Sequence, residues 1–262
     1  MTSTSGYLWL TSLSSIALVS LIIYNRKRKE AFRCGGNVNF VHTKTAKDFI
    51  EQDKDGYIQS MSLQDLRARG VKTVTEYIEK STSDIIPFSY YQKETIYKNL
   101  ELANAYLQRT RHYFIDPNLL QKIPWKFILT NGYYEQGLPH TRGPYIFLSL
   151  NFFKTSQEDQ IITLIHEKIH LYQRKYKKIF QQKLLNNKYK IHGLRKDYPN
   201  IRANPDLDEY VYIHPLNYVM AATYTSMYPK NIQDVQNDTP SNKEHPNEEI
   251  AYMIANRYSS SV

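Results

Sequence analysis

The chain has 262 residues, a net charge of +9 and 41% hydrophobic residues, enough apolar side chains to bury a sizeable core, which excludes an intrinsically disordered chain. Its single cysteine, Cys34, excludes an intrachain disulfide framework. Despite 23 Tyr and 10 Phe, no segment interleaves aromatic and basic residues as RNA-binding modules do, so the charge reads first as solvated surface and a nucleic-acid partner is not expected.

The stretch from Tyr7 to Tyr24 carries no charged residue and as a helix would span about 27 Å, close to the ~30 Å hydrocarbon core of a bilayer. Tyr7, Trp9 and Tyr24 are placed as interfacial anchors. No basic segment precedes the apolar run and no small-residue cleavage site follows it, which favours a retained transmembrane helix over a cleaved signal peptide. Asn25-Arg26-Lys27-Arg28-Lys29 comes next, and the positive-inside rule then keeps this flank and everything after it cytoplasmic, with the N-terminus outside. The same cluster suits anionic lipid headgroups. Residues 1–29 therefore read as a single-pass anchor in the bilayer through 7–24, and residues 30–43, with Gly35-Gly36, as a linker. Residues 44–262 read as one domain, helical over 44–120 and carrying the chemistry over 121–262.

Helical periodicity runs over about 45–52, 62–81 and 91–112. In the second segment Leu63, Leu66, Val71, Val74 and Ile78 are the inward positions, and in the third Ile96, Leu100, Ala103 and Leu107. Between the first two, Asp53, Asp55, Gly56 and Ile58 imitate an EF-hand loop. Its first position is Glu51 and its twelfth Ser62, where calcium needs Asp and a bidentate Glu, so an Asp-Gly turn is the preferred reading.

From residue 124 the pattern changes to short β-branched and aromatic runs, Trp125 to Leu129 and Tyr145 to Leu150, bounded by Pro and Gly as strands are. His140, in Leu138-Pro139-His140-Thr141, is a loop histidine with no assigned role. Thr155, Ser156, Glu158 and Asp159 then form an acidic helix entry, and Ile161, Ile162, Ile165, Ile169 and Tyr172 recur at helical spacing. Inside this helix lies His166-Glu167-Lys168-Ile169-His170, an HExxH sequence. Two histidines four residues apart share one helical face, so both imidazoles can reach one Zn²⁺, with Glu167 placed to activate a water. The competing reading is a pair of hydrogen-bonded core histidines. Arg174, Lys175, Lys177 and Lys178 continue the helix on its solvent side.

Zinc in a catalytic site takes a third protein ligand and leaves the fourth position open. Near the C-terminus, Pro246-Asn247-Glu248-Glu249-Ile250-Ala251 opens a helix in which Glu248 shares a face with Ala251 and Ala255. Glu249 falls on another stripe, while Ile250, Met253 and Ile254 serve the core. Asp206 and Asp208 are reserve ligands. Around them, Tyr210, Tyr212 and His214 could stabilise an oxyanion at the rim of a site, or the segment could be an Asx-Pro turn opening a helix.

Strand, short loop, HExxH helix and a later Asn-Glu-x-x-small helix together resemble the gluzincins among the zincin metallopeptidases, including the thermolysin and neprilysin groups, over roughly residues 124–258. The metzincin pattern is absent, because Gln173 and Tyr176 stand where it needs Gly and His. The resemblance implies an α+β, zincin-like fold with a helical N-terminal half and a small sheet whose edge strand pairs with an extended peptide. It also implies Zn²⁺ held by His166, His170 and Glu248, Glu167 as general base, and a peptide or protein substrate. The chain departs from the thermolysin pattern at Tyr252, where an Asp would orient a zinc histidine, at the charged Lys168, and in its longer spacing from His170 to Glu248. Two other readings stay open: an inactive zincin-fold binding or assembly protein tethered to a membrane, and a basic nucleic-acid- or membrane-binding protein with a chance HExxH.

Overall fold

A computed structural model describes residues 38–237 and 243–259. The main sheet contains β1 (Val38–Phe40), β2 (Ile85–Ile86), β3 (Trp125–Thr130), β4 (His140–Arg142) and β5 (Tyr145–Ser149). Strand β3 runs parallel to β1 and β5 and antiparallel to β2, while β4 pairs antiparallel with β5 and forms the outer edge. Side chains alternate across a strand, so Trp125, Phe127 and Leu129 join Ile146 and Leu148 on one face, and Ile128 and Phe147 point to the other.

Helices cover both faces. Ala46, Phe49 and Ile50 of α1 (Thr43–Glu51) pack with Tyr77 against the Ile128 face. On that side α2 (Leu63–Ala68) and α3 (Val74–Ser83) follow in the chain. The opposite face receives α4 (Tyr90–Arg109), through Ile96, Leu100, Ala103 and Leu107, with the short α5 (Pro117–Gln121) beside it. Leu164, Ile165 and Ile169 of α6 (Gln157–Lys175) share this core, and α7 (Lys177–Asn186) continues it through Phe180 and Leu184. The C-terminal α8 (Pro246–Ala255) closes on α6, where fully buried Ala251 and Ala255 permit close approach. Strands β6 (Lys190–Leu194), β7 (Tyr210–Ile213) and β8 (Val219–Met220) make a separate antiparallel sheet, and β9 (Ala222–Tyr224) pairs with β10 (Val235–Asn237). The architecture is α+β, as the sequence leads one to expect.

Several expectations need correction. The single helix over 62–81 is two helices, because Gly70 adopts φ +67°, a left-handed conformation that ends α2. Leu63, expected inside, opens that short helix and is 65% exposed; Met253 likewise faces outward on α8. The linker stops short of 43, since Val38–Phe40 pairs with Trp125–Phe127 in the sheet. The strand preceding α6 is interior, not the edge; the edge is β4, three residues long and too short to show periodicity. Residues 210–213 form a strand rather than opening a helix, although Asn204 Oδ1 does accept from Asp206 N in an Asx turn. Arg174 turns inward instead of to solvent and donates to the Thr141 and Pro205 carbonyls.

The calcium-like loop is an ion-pair clamp. Asp53 and Asp55 both hold Arg142, which is fully buried, and Arg142 also donates to Tyr134 Oη at 2.5 Å. Asp53 further accepts from Ile58 N and Gln59 N, which uses the acidic positions locally. Lys168 has an equally specific setting: it points away from His166 and His170 into the core, donating to Ile123 O with its ammonium 4.0 Å from the Trp125 ring centroid. Among the described residues no helix is long and apolar enough to cross a membrane. The expected anchor at 7–24, its basic flank and Cys34 lie outside the described residues.

Candidate metal centre

Helix α6 begins at Ser156, whose hydroxyl accepts from Asp159 N, with Glu158 and Asp159 in the first turn and Arg174 and Lys175 in the last. Both ends thus suit the helix dipole, and the middle of the helix, with His166 and His170, is buried. Helix α8 starts at His245, whose Nδ1 accepts from Asn247 N, while its Nε2 lies 3.2 Å from Asp208 Oδ1. Asp208 is therefore a support for the start of α8, not a ligand.

The two helices bring His166, His170 and Glu248 together, all buried, with one ligand atom from each within 4.8 Å of the others. The Nε2 atoms of the histidines are 2.9 Å apart; Glu248 Oε2 is 3.4 Å from His166 Nε2 and Oε1 3.7 Å from His170 Nε2. Donors about 2.0 to 2.1 Å from a tetrahedral zinc would be about 3.3 Å from one another, so these separations bracket the requirement.

The hydrogen bonding around the cluster agrees with a cation. Gln173 Oε1, an acceptor only, lies 2.7 Å from His170 Nδ1, so this nitrogen carries a proton and Nε2 is the ring nitrogen left to face His166 and Glu248. Gln173 Nε2 donates to Asn247 O at 3.0 Å and so ties the same residue to α8. Asn204 Nδ2 donates to Glu248 Oε1 at 3.1 Å and to Glu244 Oε1 at 2.7 Å. Tyr252, at the departure from the thermolysin pattern, sets its ring edge-on to His166 with centroids 4.4 Å apart.

Electrostatics point the same way. Burial draws the His170 pKa down, but Asp206, Glu248 and Glu167 outweigh it and push it to about 10. Burial raises Glu248, yet His170 and His166 hold its carboxyl well below the usual range. Glu167 is raised well above its ordinary value by burial and by Asp206. A buried group of carboxylates and imidazoles that places positive charge on a histidine is one that a divalent cation would satisfy. Glu167 Oε2 is buried without a hydrogen-bond partner among the described residues, and Glu167 belongs to the wall of a 360 Å³ cavity that also reaches His166 and Glu248.

The other sequence-named residues lie elsewhere. Glu249 accepts from Tyr189 Oη and faces His214 on the far side of α8. Asp206 is on the cavity wall, but its Oδ1 is occupied by Thr141 N at 2.6 Å and Thr141 Oγ1 at 2.8 Å. Tyr210, Tyr212 and His214 do not line the cavity: Tyr212 donates to Asp208, and His214 stacks on Tyr218. The oxyanion role expected of them is not supported by position. The roles of Gln173 and Asn204 were missed, Gln173 leaving a trace only as the polar residue where a metzincin would have glycine, and His140, expected as a loop histidine without a role, is the buried first residue of β4.

Gln173→Leu is expected to weaken zinc binding about 10- to 100-fold with the fold retained, since it removes the partner of His170 Nδ1 and the tie to α8. A competition titration against a chromogenic chelator measures this, and unchanged affinity would deny Gln173 the role.

The chain matches no protein-family model, no curated protein and no solved structure.

Proposed function

We propose that this protein is a membrane-anchored, zinc-dependent metallopeptidase of gluzincin-like, zincin type, with its folded domain on the cytoplasmic side. The observation that carries the reading is the meeting of His166, His170 and Glu248 from two distant helices, with the unpartnered Glu167 Oε2 at the same cavity.

His166 Nε2, His170 Nε2 and the Glu248 carboxylate would hold Zn²⁺. When bound there, zinc supplies Lewis-acid polarisation and lowers the pKa of water toward about 7. Glu167 takes a proton from the attacking water and returns it to the leaving amine. Gln173 and Tyr252 hold the two imidazole planes, and Asn204 holds Glu248. The buried walls limit water around the reacting groups.

One observation favours a second reading, an inactive binding or assembly protein on the same fold. Thr141, the middle residue of the edge strand, already has its N–H on Asp206 and its carbonyl on Arg174, the groups an extended peptide would use. Turnover separates the two. Dialysis of the full-length protein against a strong chelator is expected to abolish hydrolysis of a mixed peptide pool, and stoichiometric zinc to restore it while magnesium does not. Stoichiometric zinc without any turnover would select the second reading.

A further inference from the structure

The cavity beside Glu167 is also lined by residues that the metal centre does not use. His140, the first residue of β4, is 3% exposed and lines this cavity. Its ring lies parallel to Phe147, with centroids 4.9 Å apart. Its Nδ1 is 2.9 Å from the Leu138 carbonyl, which can only accept, so Nδ1 carries the proton and Nε2 is left as an acceptor. That Nε2 is buried and has no hydrogen-bond partner among the described residues. Burial lowers the pKa of His140, which keeps the ring neutral and the lone pair available.

Glu135 stands on the same wall. It sits in a left-handed conformation, φ 45°, followed by Gln136 at φ 55°, two strained non-glycine residues in succession. Arg69 and Tyr77 grip its carboxylate and hold it there. Oε2 accepts only one hydrogen bond, from Arg69 Nη2 at 2.6 Å, so it retains acceptor capacity. Of the cations on the wall, Arg69 is turned to Glu135, Asp65 O and Ala203 O, Arg202 gives both terminal nitrogens to Glu244 and Ile232 O while its buried Nε has no partner among the described residues, and Lys243 lies over the Tyr252 ring. Leu138, Pro139 and Ile162 give the same cavity an apolar part of its lining.

An apolar stretch of wall together with a neutral acceptor and a carboxylate matches one kind of side chain. We propose that this cavity is a specificity pocket for a long substrate side chain ending in a cationic nitrogen, lysine or arginine, whose head is received by His140 Nε2 and the Glu135 carboxylate. The pocket rests on the peptidase reading for its use, but ligand binding tests it separately. A pocket that leaves a buried acceptor unmet discriminates strongly against an isostere that lacks the donor.

The test uses the full-length protein and peptides that differ only in lysine, norleucine or acetyl-lysine, placed in turn at each position around the cleaved bond. A lysine preference of at least about tenfold in kcat/KM over both others is expected at one position, and His140→Phe should bring the three within about twofold at unchanged zinc content. In parallel, Nα-acetyl-lysine amide, Nα-acetyl-norleucine amide and norleucine amide with its α-amine free are titrated calorimetrically into Glu167→Gln. Tighter binding of the lysine compound supports the pocket; equal binding overturns it. Binding that requires a free α-amino group instead assigns the acceptors to a peptide N-terminus and also overturns it. If no peptide is cleaved, the peptidase reading fails and the titration alone decides the pocket.

Discussion

Replacing Glu167 by glutamine is expected to leave zinc bound while lowering peptide hydrolysis about 10²- to 10⁴-fold, the range that a positioned general base supplies. The substitution keeps size and hydrogen-bonding shape and removes only the ability to take up and deliver a proton. Zinc should stay, because the atoms that converge belong to His166, His170 and Glu248, not to Glu167. Stability should hold or rise, because Glu167 is buried with an unpartnered Oε2 and its proton affinity is raised by burial and by Asp206, both signs of a group held at a cost to the fold. Atomic absorption and a quenched-fluorescence peptide assay on the same preparation measure both quantities. Hydrolysis at the original rate would remove Glu167 from the chemistry, and loss of zinc would mean that it serves as a ligand.

The parts of this site that were legible in the sequence are those whose geometry is local. Four-residue spacing on a helix fixes His166 above His170, and the Ser156 cap and apolar stripe fix the helix, so the core of α6 follows from periodicity. The preference for Glu248 over Glu249 follows from helical phase, and the two carboxylates do point to opposite surroundings. What could not be read depends on contacts between segments far apart in the chain. Gln173 acts only because α8 brings Asn247 to it, and Asn204 only because its loop crosses the start of α8. Strand β4 is three residues long and is defined by its pairing with β5, so His140 had no periodic signal to mark it. The aromatic segment 210–214 attracted attention for its composition, but its polar groups serve Asp208, Tyr218 and Glu249 rather than the cavity. Lys168 looked like a departure from the zincin pattern and proves to face the other side of the helix, where Ile123 O and Trp125 accommodate it without touching the cluster.

Glu248→Ala is expected to weaken zinc binding by more than the ~100-fold that loss of an outer hydrogen bond can cost, because it removes one of three donors rather than a support for one. Thermal unfolding provides a second reading of the same event. A metal that binds only the native state stabilises it by about 2.7 kcal/mol at a free concentration 100 times its Kd, so chelation should lower the Tm of the wild type and leave that of Glu248→Ala nearly unchanged. The neighbouring substitution is the control. Glu249→Ala removes contacts to Tyr189 and His214 on the other side of α8, and it should disturb packing there while the chelator response stays at the wild-type size. Asp206→Asn is the sharper comparison, because Asp206 shares the cavity and influences His170 and Glu167, yet its Oδ1 is committed to Thr141. If Asp206→Asn rather than Glu248→Ala abolished the chelator response, the third ligand would come from the loop before β7, and α8 would serve only as a wall. With Glu248 as the ligand, zinc would fasten α8 to α6, so that removing the metal should loosen two elements that apolar packing and the Gln173–Asn247 hydrogen bond must then hold together.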